Sequence, residues 1–532
     1  MLGSRAEQII EVLHTQNLKP NWNASFNYRM ISSPGFFRNQ KANHSNYLFT
    51  SWYESPNKRY NNYLILLNNK LQAGESGGIR QDKDYLNDPI YSRDRFSIPV
   101  TIGGEPTFGA DFFSVALFTG HREKDFHILL RQQYDFGRKD SFVTDSTVIP
   151  LFYPKLRLEH NFKYGKYDYS FQDFAVSNNK QNNRPDSAYY ASHYQLTMPQ
   201  DSLLFQDKWT ELSNDFSFYQ FPDEKNLQQF IKAGAEIQLL KANVATAKSH
   251  YNFIGHGEYR NRTKNQKWDM LATGRLYFTG LNAGDYHAYV SLLRVFGSKV
   301  GSLKIGFENF NRSPSFIFNQ QSNFYLDAPR TFGKENTSHI FASFLEPKFN
   351  LQLNGDYYAV TNYLYLRNFY QLRQDPALFN VLRIGASKVF KLSRYWKWYA
   401  DVSVQQMAGG VELNLPLLFT RNRLAFEGLF FRNLNLSTGL EMRYYSPYKA
   451  DNYSPLLGQF FYQDSLTISN RPDVSAFFHF RIRSFKAFVR AENLNAVSTI
   501  GGFGFNHNSI VAPGYAMPGL LFRLGIYWSF VN

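Results

Sequence analysis

Apolar and polar residues alternate along segment after segment of this 532-residue chain. In residues 155–164, Leu156, Leu158, Phe162 and Tyr164 occupy even positions, whereas every odd position is polar. Alternation with a period of two puts one kind of side chain on each face of a β-strand, whereas a helix would repeat every three to four residues. The same alternation is found in residues 22–30, 231–239, 268–278, 474–482 and 522–530. The chain is therefore predicted to be all-β.

The length of these segments distinguishes between two kinds of all-β protein. They run for about 9–13 residues, the length that a tilted strand needs to cross a bilayer, whereas strands of soluble proteins are typically about five or six residues long. Aromatic residues such as Tyr28, Trp268 and Trp528 stand near the ends of the apolar faces, as in the girdles of membrane barrels. The alternative is a soluble β-sandwich with an aromatic core, which would have shorter and more uniformly apolar strands.

Composition excludes several other classes. No stretch of about 20 consecutive apolar residues exists, which argues against membrane-spanning helices. Cysteine is absent, so disulfide scaffolds and zinc fingers are excluded. With 43% hydrophobic residues and no low-complexity linker, the chain is neither disordered nor divided into separate domains.

We predict a single transmembrane antiparallel barrel of about 24 strands, within a range of 20–26. The predicted strands are 22–31, 45–54, 60–69, 111–120, 124–135, 153–164, 166–175, 208–220, 229–240, 248–261, 267–280, 285–296, 301–311, 337–345, 349–359, 361–371, 379–391, 396–407, 411–420, 423–433, 435–446, 473–483, 485–493 and 518–531.

The predicted connections alternate in length. Short turns, including one at Gly165, follow even-numbered strands, and we place them in the periplasm. The longest connections follow odd-numbered strands and are predicted to be extracellular. They are residues 70–110, 176–207, 312–336, 447–472 and 494–517. The longest of them, 70–110, is the predicted constriction of the lumen.

The start of the chain is predicted to differ from the rest. Residues 1–16 are assigned to a short periplasmic segment and 17–532 to the barrel, with an amphipathic helix over 5–16 through Ile9, Ile10 and Leu13. The first residues lack the apolar core of a signal peptide, so we expect a mature or truncated form.

Three stretches near the start resemble the Bacteroidetes putative porin family: NLKPNWNASFNYRM at residues 17–30, GFFRNQKANHSNY at 35–47 and NKLQAGESGGI at 69–79. The resemblance covers essentially the whole chain and implies an outer-membrane barrel that is a porin by architecture. Residues 491–495 and 524–530 also resemble the closing strands of TonB-dependent transporters.

The charge pattern predicts which residues line the lumen. Lys and Arg total 58 against 43 Asp and Glu, and the basic residues are scattered rather than clustered, which argues against nucleic-acid binding. Basic residues at the barrel rim are expected to meet lipopolysaccharide. On the polar faces of the strands, the predicted lumen-lining residues are Arg157, Glu159, Lys163, Lys232, Glu236, Arg383, Glu441, Arg443, Arg481, Arg490 and Arg523. Basic rings favour anions, and lateral ion pairs that stiffen the wall are the alternative role.

Other residue patterns suggest chemistry only weakly. Gly74–Gly78 fits a serine-nucleophile motif around Ser76, but without the strand-to-helix context of a nucleophile elbow it reads as a glycine turn. His256 and Glu258 share one strand face without a third metal ligand. Asp82, Asp84 and Asp88 lack the glycine and glutamate of a calcium loop. We therefore predict no catalytic site, metal or cofactor.

The predicted function is passive diffusion of hydrophilic solutes across the bacterial outer membrane, by size exclusion and charge filtering. One alternative is a loop-occluded barrel that acts as a structural or regulatory subunit of a larger outer-membrane transport or secretion complex, with other outer-membrane proteins as partners. A second alternative is an outer-membrane enzyme that uses Ser76.

Overall fold

The computed structural model describes residues 2–3, 7–91, 94–103, 117–143, 148–174, 186–196, 202–244, 247–327, 331–497 and 509–530. These residues contain one α-helix, α1 (Ser187–Tyr194), and 28 strands. The strands are β1 (Leu2–Gly3), β2 (Gln8–Lys19), β3 (Trp22–Ser33), β4 (Ala42–Glu54), β5 (Tyr60–Gly74), β6 (Thr119–Val143), β7 (Val148–Asp173), β8 (Leu203–Gln220), β9 (Gln229–Asn243), β10 (Ala247–Arg262), β11 (Trp268–Gly280), β12 (Tyr286–Gly297), β13 (Gly301–Arg312), β14 (Glu335–Glu346), β15 (Leu351–Thr361), β16 (Tyr363–Arg367), β17 (Gln371–Asp375), β18 (Phe379–Lys391), β19 (Trp396–Ala408), β20 (Leu418–Phe430), β21 (Leu434–Tyr445), β22 (Asn452–Ser454), β23 (Gln459–Phe461), β24 (Asp473–Ile482), β25 (Phe485–Glu492), β26 (Ile510–Ala512), β27 (Tyr515–Ala516) and β28 (Leu521–Trp528).

Of the described strands, 22 form one antiparallel sheet, which we call the wall. Each wall strand pairs with the next wall strand along the chain, so β15 pairs with β18, β21 with β24 and β25 with β28. The two-residue strand β1 pairs with both β2 and β28. Strand pairing therefore runs from the first wall strand to the last and back to the first.

The remaining six strands form three hairpins, β16–β17, β22–β23 and β26–β27. All three lie in long connections between wall strands. Long connections follow β5, β7, β13, β15, β21 and β25. All of them leave the same end of the wall, which we call the loop end. At the opposite end, the turn end, connections such as 20–21, 263–267 and 483–484 are short.

Two pairs of predicted strands and one single predicted strand turned out to be arranged differently. Residues 153–164 and 166–175 form one strand, β7, in which Gly165 pairs with His127, so the predicted turn at Gly165 was wrong. The alternation changes at this glycine: before it the apolar residues face out, and after it Tyr167, Tyr169 and Phe171 face in, which looks in sequence like a new strand. Most of 361–371 belongs to the hairpin β16–β17, outside the wall. Only 418–420 of the predicted strand 411–420 are in a strand, and they continue without a turn through 423–430 as β20.

The start of the chain was also predicted wrongly. Residues 8–16 belong to β2, which pairs with β3 over its whole length, so no helix forms there and the boundary predicted at residue 16 falls inside a strand. Ile10 and Val12 alternate with Glu11, whose carboxylate accepts a hydrogen bond from Arg29 at 2.9 Å. Pairing with β3 satisfies the backbone of this segment and imposes the period of two. Of the predicted strand 111–120, residues 111–116 lie outside the described residues.

The two faces of the wall differ sharply in polarity. On β9, Ile237 is 53% exposed, whereas the neighbouring Glu236 on the other face is 7% exposed. Large apolar side chains stay exposed on one face of almost every wall strand, far more than a water-soluble surface usually carries. The described chain contains no helix long and apolar enough to cross a bilayer.

Candidate functional site

The first cluster of charges on the polar face of the wall surrounds Glu159 on β7. Its carboxylate accepts hydrogen bonds from Arg131 at 2.5 Å and from Lys232 at 3.1 Å, and the Glu159 side chain is only 2% exposed. Two residues along the same strand, Arg157 binds Asp135 at 2.6 Å. The period of two places Arg157 and Glu159 on one face. The register with β6 brings Arg131 and Asp135 alongside, and Lys232 of β9 reaches Glu159 across β8.

A second cluster surrounds Glu441 on β21. Three guanidinium groups, from Arg421, Arg443 and Arg490, donate to this carboxylate at 2.7, 2.7 and 3.1 Å. The network continues across the last strands, because Arg490 also binds Glu492 at 2.9 Å.

The same network reaches the seam between the last wall strand and the start of the chain. Arg523 on β28 binds Glu492, and its Nε lies 3.2 Å from Glu7, the residue that precedes β2. An ion pair therefore supports the seam where β1 bridges β2 and β28.

All eleven predicted lumen-lining residues lie on wall strands, and nine of them form ion pairs. Besides the clusters above, Lys163 binds Glu211 at 2.9 Å and Glu236 binds Arg275 at 2.7 Å. Arg383 and Arg481 are the two exceptions within the described residues. Arg383 donates to the Ser403 hydroxyl and Arg481 to the backbone carbonyl of Arg483. Whether these residues line a conducting pore remains a prediction.

Sequence reasoning missed a third cluster, around Glu427 on β20. Its carboxylate accepts hydrogen bonds from Lys397 at 3.1 Å and from the Tyr399 hydroxyl at 2.7 Å, and Arg423 binds the same group at 2.5 Å. The predicted turn at 421–422 hid the contact with Lys397 and Tyr399, because it placed a separate strand, 411–420, between their strand and the strand that carries Glu427. Reading residues 418–430 as one strand would have made the two strands neighbours.

At the loop end, the long connections pack against one another to form what we call the cap. It consists of the described residues in the connections after β5, β7, β13, β15, β21 and β25. Its largest buried cluster combines Tyr190, Phe324, Leu372 and Leu456 with other residues from separate connections and with Phe171 of the wall. Since at least five wall strands separate β7, β13 and β21 from one another, their connections must extend across the mouth of the wall to meet.

Hydrogen bonds join the parts of the cap. The Tyr194 hydroxyl lies 3.0 Å from Ser454 Oγ, which donates to the backbone carbonyl of Phe369 at 2.6 Å. The Tyr453 hydroxyl donates to Glu75 at 2.6 Å, linking the connections after β21 and β5. Of the predicted constriction, 70–110, residues 70–74 belong to β5 and the described residues after them are one component of this shared structure, whereas 92–93 and 104–110 lie outside the described residues.

Two buried carboxyl groups of the cap have raised pKa values. Burial away from water raises the pKa of Glu75 to about 8. Burial, together with the neighbouring Asp173 carboxylate, raises the pKa of Asp186 to about 8 as well. Asp186 accepts a hydrogen bond from the Gly103 backbone at 2.7 Å, and Asp173 accepts one from the Tyr190 hydroxyl at 2.6 Å. These groups therefore join the wall, α1 and the connection after β5.

The other residues singled out from the sequence take structural roles. Ser76 is 3% exposed, and its hydroxyl accepts a hydrogen bond from the Gly78 backbone at 3.2 Å, as in a tight turn. His256 lies 3.0 Å from Asp215, which is not the predicted neighbour Glu258.

The acidic residues after β5 bind separate neighbours. Asp82 binds Arg80, Asp88 binds Lys83 at 2.7 Å, and Asp84 accepts from Asn87 at 2.7 Å. Within the described part of the chain, no group of three or more His, Asp or Glu residues is arranged to hold a metal ion.

Comparison with known proteins identifies a family and a fold. A family model described as "Putative porin" matches residues 2–532. No curated protein matches the sequence. Among solved structures, the ferric enterobactin receptor PfeA of Pseudomonas aeruginosa matches 99% of this chain and 78% of its own, with a TM-score of 0.62 and 10% identity.

Two further solved structures give the same result. The copper transporter OprC is 12% identical with a TM-score of 0.62, covering 99% of this chain and 80% of its own. The FrpB iron transporter of Neisseria meningitidis is 10% identical with a TM-score of 0.60 and the same coverage. Since the identities are low, these similarities establish the fold alone.

Proposed function

We propose that this chain, which belongs to the family described as "Putative porin", forms a closed barrel in the bacterial outer membrane through which hydrophilic solutes pass. In this proposal the polar face of the wall encloses the lumen, and the cap controls the outer mouth. The turn end faces the periplasm and the loop end faces the cell exterior.

The observation that carries the proposal is the two-faced wall. Its exposed apolar face suits lipid, and its other face carries paired charges such as those around Glu159 and Glu441. In a bilayer every backbone group must be paired, which a sheet achieves by closing on itself. The pairing of β1 with both β2 and β28 is what closure requires.

The cap favours a gated barrel over a permanently open one. Buried aromatic and aliphatic residues from several connections meet across the mouth, with Tyr190 and Leu456 fully buried. Solutes of appreciable size would then cross only when parts of the cap separate.

Ion pairing in the wall affects the expected selectivity. Because nine of the eleven predicted residues form ion pairs that cancel part of their charge, we expect only a weak preference for anions, to which residues without a carboxylate partner, such as Arg383 and Arg481, contribute. Basic residues at the rim are proposed to contact lipopolysaccharide.

A disulfide across the cap tests this gating. Arg367 and Tyr462 form a β-bridge between the connections after β15 and β21, and neighbouring strand positions are close enough for a disulfide. The chain has no cysteine of its own, so the double variant R367C/Y462C contains a single possible bond. Single-channel current in planar bilayers should be lower in the oxidised double variant and recover on reduction, whereas R367C alone should not respond.

The alternative, an occluded structural subunit of a larger complex, has its support in the same packed cap. It predicts a heat-resistant barrel that passes no current whether the disulfide is oxidised or reduced. Large, steady currents in the oxidised double variant would instead show that the cap does not gate the lumen.

A further inference from the structure

A cavity of about 600 Å³ lies within the cap, between five of its connections. Its volume falls in the range of about 300–1,000 Å³ that is typical of small-molecule sites. Gln81, Asp82 and Leu466 belong to its lining and are exposed, so the cavity is accessible from solvent.

Aromatic rings line two sides of the cavity. On one side His193 lies 4.2 Å from Tyr189 and 4.5 Å from Phe369, measured between ring centroids. On the other, Tyr453 and Tyr515 lie 5.5 Å apart with their planes at 89°. Packing against neighbouring rings fixes their orientation, and flat apolar surfaces are therefore available before a ligand arrives.

Besides Arg80 and Asp82 at its rim, the lining has uncharged hydroxyl and amide groups. The hydroxyl of Tyr515 is buried and has no hydrogen-bond partner within the described chain. Burying such a group without a partner costs free energy, and a ligand hydroxyl that reached it would offset this cost. Thr101 and Asn452 add a hydroxyl and an amide to the same cavity.

The charges at the rim cancel. Among the described lining residues, the Lys, Arg, Asp and Glu types are represented by Arg80 and Asp82 alone, and these two side chains bind each other. An anion would have to compete with Asp82 for the guanidinium, and a cation with Arg80 for the carboxylate. The cavity is therefore suited to an uncharged ligand.

We infer that this cavity binds a neutral oligosaccharide. Sugar rings combine an apolar C–H face, which suits the rings of Tyr189, Phe369 and Tyr453, with hydroxyl groups that can pair with Tyr515 and Asn452. The inference deepens the proposed function, on which it rests, by naming the solute class that the outer mouth selects. Binding is measured without conduction, so the two can fail separately.

The test uses saturation-transfer difference NMR on the full chain in a detergent without a sugar head group. The probes are maltotetraose, cellotetraose, xylotetraose and chitotetraose, each titrated to saturation, and tetragalacturonate as a charged comparison. We expect saturable binding of at least one neutral tetrasaccharide and weaker binding of tetragalacturonate.

Two variants locate the binding in the cavity. Leu466→Trp at the exposed rim should block entry and abolish binding. Tyr515→Phe keeps the ring and removes the hydroxyl, and should weaken binding about threefold to tenfold. The matched control is Tyr251→Phe, which removes an exposed hydroxyl from the outer face of the wall and should leave binding unchanged.

The inference is overturned if none of the four neutral tetrasaccharides binds, if tetragalacturonate binds more tightly than they do, or if Leu466→Trp binds as well as the parent chain. Failure of binding in a barrel that conducts would leave the proposed function standing. Binding to a barrel that never conducts would instead count against passage of solute.

Discussion

The wall and the cap are stabilised in different ways. In the wall, charged residues lie at alternate positions of neighbouring strands and pair across one strand boundary or two, as Arg421 and Arg490 do with Glu441. In the cap, residues far apart in the chain meet, as when Tyr194 contacts Ser454. Local pairing makes the wall regular and stable, whereas the cap depends on contacts between connections that could separate without breaking the wall.

The largest effect is expected from a wall carboxylate. Glu441→Gln removes the charge that three arginines share, and should lower the free energy of unfolding by about 3 kcal/mol, as for a buried ion pair that loses one partner. Urea unfolding from lipid vesicles, followed by tryptophan fluorescence, measures the change. Glu11→Gln is the control, because the Glu11–Arg29 pair is about half exposed and should contribute less than about 1 kcal/mol. Equal decreases in the free energy of unfolding for the two variants would show that the Glu441 cluster contributes no more than an exposed ion pair.

A cap substitution should affect the cap alone. Leu456→Ala removes a fully buried side chain and should destabilise the cap by about 2–3 kcal/mol, near the lower end for such changes because the connections can partly collapse. We expect faster tryptic cleavage within the cap and an unchanged heat-dependent shift of the barrel on gels. Leu440→Ala, on the exposed face of the wall, should not change the cleavage rate. If Leu456→Ala lowered the melting temperature of the barrel, wall and cap would unfold as one unit.

The cap should also loosen as the pH rises. Because burial raises the pKa of Glu75 to about 8, the folded cap holds a proton that the unfolded segment releases near its ordinary pKa of 4.5. Stability from this group is fully present below about pH 4.5 and is lost as the pH rises towards 8. Asp186 acts in the same direction. We expect cap cleavage, by a protease active over this range, to be about tenfold faster at pH 8.5 than at pH 5.5.

Glu75→Gln checks the cause of this pH dependence. The amide oxygen can still accept the Tyr453 hydrogen bond but cannot ionise, so the variant should show a weaker dependence on pH. An unchanged profile in Glu75→Gln would assign the effect to other groups.

The smallest expected effect concerns selectivity. Neutralising the two arginines without carboxylate partners, in R383Q/R481Q, should reduce the anion preference measured as a reversal potential under a salt gradient. Arg432→Gln, on a short connection at the turn end, serves as the control. Cation preference of the parent chain would overturn the predicted sign.

Much of the wall can be predicted from the sequence. Alternation identified 20 of the 22 wall strands, and β2 was missed because the spacing of Ile9, Ile10 and Leu13 predicted an amphipathic helix. The same alternation assigned eleven charged residues to the polar faces of the strands, since a period of two assigns each residue of a strand to a face, but it missed the cluster around Glu427.

What sequence alone determined is therefore the all-β class, the two faces of the wall and the residues that each face carries. Cross-strand register and long-range contacts were decided by the tertiary structure. Only register shows that Glu159 meets Lys232 across β8, and only folding of the connections brings Glu75 to Tyr453. Local periodicity follows from backbone geometry, so it can be recognised within one short segment of the sequence. The cap depends on packing between segments hundreds of residues apart, which no local pattern encodes.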